Sequence, residues 1–122
     1  MYIGVDMIEV KRVSKLVEHD TYILNVFTQN ELNIVHNYGE IKRIESLAGK
    51  FAAKEATVKA LGTGFDNKIM PKDIEVLNNE NGKPILRLHN AALEMALKLG
   101  IRDLNISISH NKTTAISFVT LT

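Results

Sequence analysis

Phe51-Ala52-Ala53-Lys54-Glu55-Ala56-Thr57-Val58-Lys59-Ala60-Leu61-Gly62-Thr63-Gly64 is the stretch on which the fold turns. It closes a longer segment, Ile41 to Leu61, that is rich in alanine and free of proline. Strong helix formers without a breaker predict a helix of about five turns. Leu47, Phe51, Val58 and Leu61 are expected to face a core. Gly62 and Gly64 are expected to stop the helix, as glycine does just past a C-cap.

Within this helix Ala48, Ala52, Glu55, Lys59 and Gly62 follow one another at spacings of four, three, four and three residues. Those offsets share one face. Its small side chains admit a ligand or another backbone, and Glu55 and Lys59 are placed to face a metal and a phosphate. The ordinary alternative is an i,i+4 Glu–Lys pair on a solvated surface, which pattern alone favours. Gly62-Thr63-Gly64 divides the same way, between backbone room for a ligand and a plain C-cap with a turn. The stretch is not a P-loop, because Gly-Lys-Ser/Thr is absent, and no glycine fingerprint for a dinucleotide occurs.

N-terminal to the helix, Tyr2-Ile3-Gly4-Val5-Asp6-Met7-Ile8 is short, β-branched and mostly apolar, which predicts a buried strand ending near the acid. Val10, Val13, Leu16 and Val17 recur at helical spacing, with Lys11, Arg12, Lys15 and Glu18 on the other faces. Thr28 with Glu31 has the form of a capping box and opens a helix to about His36, before a break at Asn37-Tyr38-Gly39. C-terminal to it, Asp73 to Leu77 and Pro84 to Leu88 are strand candidates around the turn pair Asn81-Gly82. Asn90 to Leu99 predicts a helix closed by Gly100. Leu104 to Ser109 alternates as a half-buried strand does, His110-Asn111-Lys112 is a turn, and Ala115 to Leu121 is the last strand. The order βααα–ββαββ predicts one α+β domain over residues 1–122: a small, largely antiparallel sheet packed with a long central helix and shorter helices.

The totals agree. The chain has 122 residues, 45% of them hydrophobic and 24% charged, as in a soluble domain with one real core. With no cysteine, disulfides, thiolate zinc sites and cysteine nucleophiles are excluded, which fits a reducing cytoplasm. Asp6 interrupts the N-terminal apolar run before it can serve a secretory signal. No apolar run approaches the roughly 18 residues of a membrane span. A net charge of +1 gives no argument for nucleic acid.

An acid at the end of an apolar strand is expensive to bury without a partner. Asp6 has two readings of similar weight, a cap for the following helix or a metal ligand. With Glu55 it offers two oxygen donors, and Mg²⁺ is commonly held by one or two carboxylates completed by waters and substrate phosphates. His110, flanked by Ser109 and Asn111 at a strand end, is either a hydrogen-bonding surface residue or part of a phosphate site. His19, His36 and His89 have no comparable setting. Lys11, Arg12 and Lys15, extended by Lys42 and Arg43, form a solvated face or a dock for an acidic protein.

Ile3-Gly4-Val5-Asp6 with Arg12, Lys50-Phe51-Ala52-Ala53-Lys54-Glu55-Ala56 running on to Lys59-Ala60-Leu61-Gly62-Thr63-Gly64, and Ile106-Ser107-Ile108-Ser109-His110 together resemble the holo-acyl-carrier-protein synthase family of 4′-phosphopantetheinyl transferases. Asp73-Ile74-Glu75 and Asn81-Gly82-Lys83-Pro84 resemble further segments of that family. The resemblance implies transfer of phosphopantetheine from coenzyme A to a serine of apo-acyl carrier protein, in fatty acid biosynthesis, with release of 3′,5′-ADP. It implies that Asp6 and Glu55 hold Mg²⁺ and that Lys59 neutralises the same phosphates. Lys50, His110 and the Gly62–Gly64 loop would bind other parts of the nucleotide, with Lys50 on its 3′-phosphate. Arg12, with Lys11 and Lys15 beside it, would meet the acidic carrier protein. It further implies a homotrimer with active sites between subunits. Lys50 stands where many relatives have arginine, a point charge for a planar fork. Asn111 replaces a common hydroxyl residue and Tyr2 a frequent glycine. Two competing readings are a transferase for the carrier domain of another synthase and a non-catalytic module that binds nucleotide or carrier protein.

Overall fold

The computed structural model describes residues 1–65 and 68–122. Strand β1 (Tyr2–Glu9) leads directly into α1 (Val10–Leu16), followed by α2 (Asp20–Val26), α3 (Gln29–Val35) and the 22-residue α4 (Glu40–Leu61). A single 3₁₀ turn (Pro71–Asp73) enters β2 (Ile74–Asn78), and β3 (Pro84–Leu88), α5 (Asn90–Lys98), β4 (Leu104–His110) and β5 (Thr114–Leu121) complete the order. The expected α+β architecture is present, with two small antiparallel sheets in place of one: a three-stranded sheet ordered β1-β5-β4 and a β2-β3 hairpin.

The local signals act as their chemistry predicts. Thr28 and Glu31 form a complete capping box at the start of α3. Gly62 ends α4 at φ +80°, and the amides of Gly62 and Thr63 reach back to the Lys59 and Val58 carbonyls. That pairing is a Schellman stop, which needs a residue free to adopt positive φ. His110 is the last residue of β4, so the expected turn there begins one residue later.

Helix α2 was not expected. Thr21, Tyr22 and Ile23 are poor helix formers, and its N-cap residue, His19, makes no side-chain cap bond. Its seven residues are held by tertiary contact: Val26 is buried, and the Tyr22 ring lies 6.0 Å from those of Phe27 and Phe51.

Helix α4 is the spine between two apolar clusters. Val13, Val26, Phe27 and Val35 gather around Leu47, Ala48 and Ala52. Ile74, Val76, Leu86, Val119 and Leu121 gather around Ala53, Ala56, Val58 and Leu61. Of the four core positions expected on this helix, Leu47, Val58 and Leu61 are buried and Phe51 is half-buried. Strand β1 crosses α4 at Gly4, where an added Cβ would fall 1.8 Å from the Ala56 carbonyl oxygen. Only glycine allows so close an approach, and it sets where the next inward residue of β1, Asp6, meets the helix. On the outer face of the same sheet Ile3, Val5 and Met7 of β1 and Ile116 and Phe118 of β5 are exposed. Val5 pairs with Phe118 and Met7 with Ile116, so these side chains form one continuous apolar strip.

Candidate active site

Asp6, Glu55 and Lys59 come together where β1 crosses the C-terminal half of α4. Lys59 Nζ donates to Asp6 Oδ1 at 2.8 Å and to the Val5 carbonyl at 3.1 Å. The i,i+4 Glu55–Lys59 pair allowed by the pattern is not the one formed, and Asp6 takes the lysine instead of capping α1. Glu55, half-buried, makes no hydrogen bond or ion pair among the described residues. Burial first and then the Asp6 charge raise its pKa, against the opposing pull of Lys59 and Arg12. The Asp6 hydrogen bond holds the exposed Lys59 ammonium in its charged form.

Among the described residues no three His, Asp or Glu side chains gather as a ready metal cage. Two carboxylates on facing elements, one of them unpartnered, nevertheless fit a Mg²⁺ ion whose other ligands are waters and substrate phosphates.

A second polar cluster lies farther back on α4. Lys50 is buried, and its ammonium donates to the Val76 carbonyl at 3.0 Å and to Asn78 Oδ1 at 3.2 Å. Burial lowers its pKa to about 8, with Glu31 opposing that shift. The same side chain lines a cavity of about 160 Å³ with His110, Tyr38, Ser46 and Asn78. His110 Nδ1 is bonded to Glu45 Oε1 at 2.8 Å. Nothing local in the sequence connects Glu45 to His110, 65 positions away. The Asn111 side chain is committed to its turn, accepting from the Thr113 and Thr114 amides.

The structure therefore gathers Asp6, Glu55 and Lys59 in one place and Lys50 with His110 in another. Glu45 and Glu55 are ten residues apart on α4, about 15 Å at the helical rise of 1.5 Å per residue. Thr63 joins neither cluster: it lines a separate cavity with Lys68, Glu94 and Lys98, and its Oγ1 has no hydrogen-bond partner among the described residues. Lys11, Arg12 and Lys15 are all exposed on α1, so the basic face exists. Lys42 stacks over the Tyr38 ring, 4.1 Å from its centroid. The reach of the Arg12 charge to Glu55 and to the buried Tyr22 hydroxyl was not foreseen.

A small α+β fold that brings two acids and a lysine together at one strand–helix crossing, with a cavity lined by Lys50 and His110 farther along the same helix, is the architecture of one class of transferases. The chain belongs to the 4′-phosphopantetheinyl transferase superfamily, whose model matches residues 2–116. Its relatives include the holo-[acyl-carrier-protein] synthase of Halothermothrix orenii, 45% identical over 121 residues, covering 96% of this chain and 93% of that protein. The enzyme of the same name from Alkaliphilus oremlandii is 43% identical over 116 residues, covering 94% and 93%. A Bacillus anthracis holo-(acyl-carrier-protein) synthase, solved in complex with CoA (3′,5′-ADP), superposes with a TM-score of 0.83 at 37% identity, covering 98% of this chain and 94% of that one.

Proposed function

We infer that this chain transfers the 4′-phosphopantetheine group of coenzyme A to a serine of apo-acyl carrier protein, giving holo-carrier protein and 3′,5′-ADP. Beyond the family relationship, the observation that carries this reading is the Asp6–Lys59 bond across β1 and α4 beside an unpartnered Glu55.

Phosphoryl transfer leaves little covalent chemistry to the protein, and positioning with charge neutralisation dominates. The serine Oγ attacks the phosphorus that bears pantetheine. A new P–O bond forms as the bond to the nucleotide breaks, and the electron pair leaves on 3′,5′-ADP. Lys59, whose side chain is 55% exposed, is free to turn its ammonium onto the phosphate oxygens. Glu55 accepts the serine proton, directly or through a water. Burial and the Asp6 charge raise its pKa in the metal-free site, the direction a general base near neutrality requires. Asp6 and Glu55 would hold Mg²⁺, which when bound supplies Lewis-acid neutralisation of the phosphates. Lys50 and His110 bind the nucleotide end, and Gly62 to Gly64 leave room for backbone approach: added Cβ atoms at Gly62 and Gly64 would meet nothing within 4 Å. Arg12, with Lys11 and Lys15, receives the acidic carrier protein.

Two observations support association between copies of the chain, which the proposal takes as a homotrimer with sites shared between subunits. The apolar strip of Ile3, Val5, Met7, Ile116 and Phe118 is uncovered in a single chain. The metal–phosphate cluster and the nucleotide cavity are also separate clusters of one chain. No helix among the described residues is long and apolar enough to cross a membrane. The proposed place is cytoplasmic fatty acid biosynthesis, on the strength of the family relationship.

Mass spectrometry of apo-acyl carrier protein incubated with coenzyme A, with and without Mg²⁺, tests the reading. A phosphopantetheine adduct formed only with Mg²⁺ is expected. No adduct in either sample would make the chain a binding module, and an equal yield in both would remove the metal.

A further inference from the structure

Glu45 and His110 are joined by a 2.8 Å bond from ring nitrogen Nδ1 to Oε1. An ionised carboxylate only accepts, so Nδ1 carries the hydrogen. The ring is thereby fixed in orientation and tautomer, and Nε2 is left without a protein partner among the described residues. Exposure separates this pair from an ordinary surface bridge, in which both partners are solvated and the contact contributes little. The Glu45 side chain is 16% exposed while that of His110 is 41% exposed. The carboxylate is the covered support and the imidazole is the presented group.

What His110 is presented to is also visible. It lines the cavity of about 160 Å³ that holds Lys50, Ser46, Tyr38 and Asn78. Two of the three ammonium hydrogens of Lys50 are used, on Val76 and Asn78, which leaves the third free. The cavity thus offers a cation, a hydroxyl pair and an imidazole edge, with no carboxylate among its lining residues. That chemistry selects a phosphate monoester, which accepts hydrogen bonds from every side.

We propose that Glu45 is a positioning residue for donor recognition: it holds His110 by Nδ1 so that Nε2–H donates to the 3′-phosphate of coenzyme A beside Lys50. This rests on the assignment of Lys50 and His110 to the nucleotide. Nε2 takes up a proton from solvent as the phosphate binds, so in the bound state both ring nitrogens donate, one to Glu45 and one to the phosphate. Removing Glu45 leaves the imidazole in place but lets it rotate or take the other tautomer.

Binding calorimetry with coenzyme A and with 3′-dephospho-coenzyme A, on the wild type, Glu45→Ala and His110→Ala, tests it. Both variants are expected to lose about tenfold in affinity for coenzyme A, the scale of one charge-assisted hydrogen bond, and little for the dephosphorylated ligand. A His110→Ala variant that discriminates while Glu45→Ala binds both ligands as the wild type does overturns the positioning role and keeps the phosphate pocket. Equal loss toward both ligands in Glu45→Ala also overturns that role. Equal loss in His110→Ala overturns the underlying phosphate assignment itself. Ring ¹⁵N shifts of the wild type give a readout independent of any variant. Nδ1 is expected to be protonated in the free protein, and the Nε2 resonance to move with 3′,5′-ADP and not with 5′-AMP. A free protein with the proton on Nε2 alone overturns the proposal.

Discussion

Lys59 Nζ lies 2.8 Å from Asp6 Oδ1, so the lysine crosses from α4 to β1 instead of pairing with Glu55 one turn earlier on its own helix. The consequence falls on Glu55, a half-buried carboxylate with no partner of its own among the described residues. Burial and the Asp6 charge raise its pKa. A raised carboxyl pKa destabilises the folded state at neutral pH, and that cost disappears as pH falls through the folded value. Glu55→Gln removes the charge at nearly constant shape. Transfer should fall roughly 10²- to 10⁴-fold, the span of general-base contributions, while the melting temperature at pH 7.5 stays level or rises. Near-normal turnover in this variant would remove both roles given to Glu55.

Gly4→Ala tests the crossing itself. The added Cβ would meet the Ala56 carbonyl oxygen at 1.8 Å, its carbon at 2.8 Å and the Ala60 nitrogen at 3.0 Å. All three are backbone atoms that no rotamer change can move aside. Overpacking of this kind costs about 1–3 kcal/mol or more, and the strand displacement draws Asp6 away from Lys59. A lowered urea midpoint together with lost transfer is expected. Wild-type stability and turnover would mean that β1 relaxes without disturbing the site.

The Lys50 ammonium titrates at about 8 because burial disfavours its charge. On the proposed assignment of Lys50 to the nucleotide, the protonated ammonium below that pH would attract the anionic ligand, and above it the attraction would be lost. Affinity for 3′,5′-ADP should therefore fall between pH 7 and pH 9, and Lys50→Arg should flatten that dependence, because arginine keeps its charge. The stability sign runs the other way. The folded pKa lies below the unfolded value, so the unfolded chain holds the extra proton between about 8 and 10.5. The burial cost is full below 8 and is relieved as pH rises through that window. Affinity that is constant from pH 7 to 9 would exclude Lys50 as a titrating phosphate contact.

Glu31 and Lys54 form an ion pair with no solvent exposure on either side chain. Glu31 also caps α3 and accepts the Val76 amide, while Lys54 reaches the Pro71 carbonyl. Removing one partner strands the other charge, which costs about 3–5 kcal/mol. Lys54→Met should lose that much in urea denaturation. Adding Glu31→Gln should recover part of it, because no bare charge then remains inside. A Lys54→Met protein as stable as the wild type would contradict the buried pair.

These pairings mark the limit of what the sequence could disclose. Gly62, Gly100 and the Thr28–Glu31 box were legible because capping chemistry is local. The α4 face was legible because 3.6-residue periodicity is local too. Glu31 showed only its capping half, since its second oxygen meets Val76 45 positions away. Lys50 carried no sign of burial, because the groups that hold its ammonium, Val76 and Asn78, lie on β2. Gly4 stood in the pattern as one apolar strand residue among several, and only the path of α4 across it explains the missing side chain. Helix α2 failed by propensity, having no cap and poor formers, and is held by Phe27 and Phe51.

Arg12 provides the last test, because two explanations of one phenotype can be separated. It is exposed on α1 beside Lys11 and Lys15, as a docking residue for an acidic carrier protein should be. Its charge also reaches Glu55, where it lowers the pKa. Arg12→Ala should raise KM for apo-acyl carrier protein about tenfold, with a weaker salt dependence, and leave coenzyme A affinity unchanged. Loss of electrostatic support for Glu55 would act differently, lowering kcat with little change in carrier KM. Equal damage to carrier and coenzyme A binding would defeat the docking assignment. A fall in kcat alone would transfer Arg12 from the docking surface to the electrostatics of the reacting carboxylate.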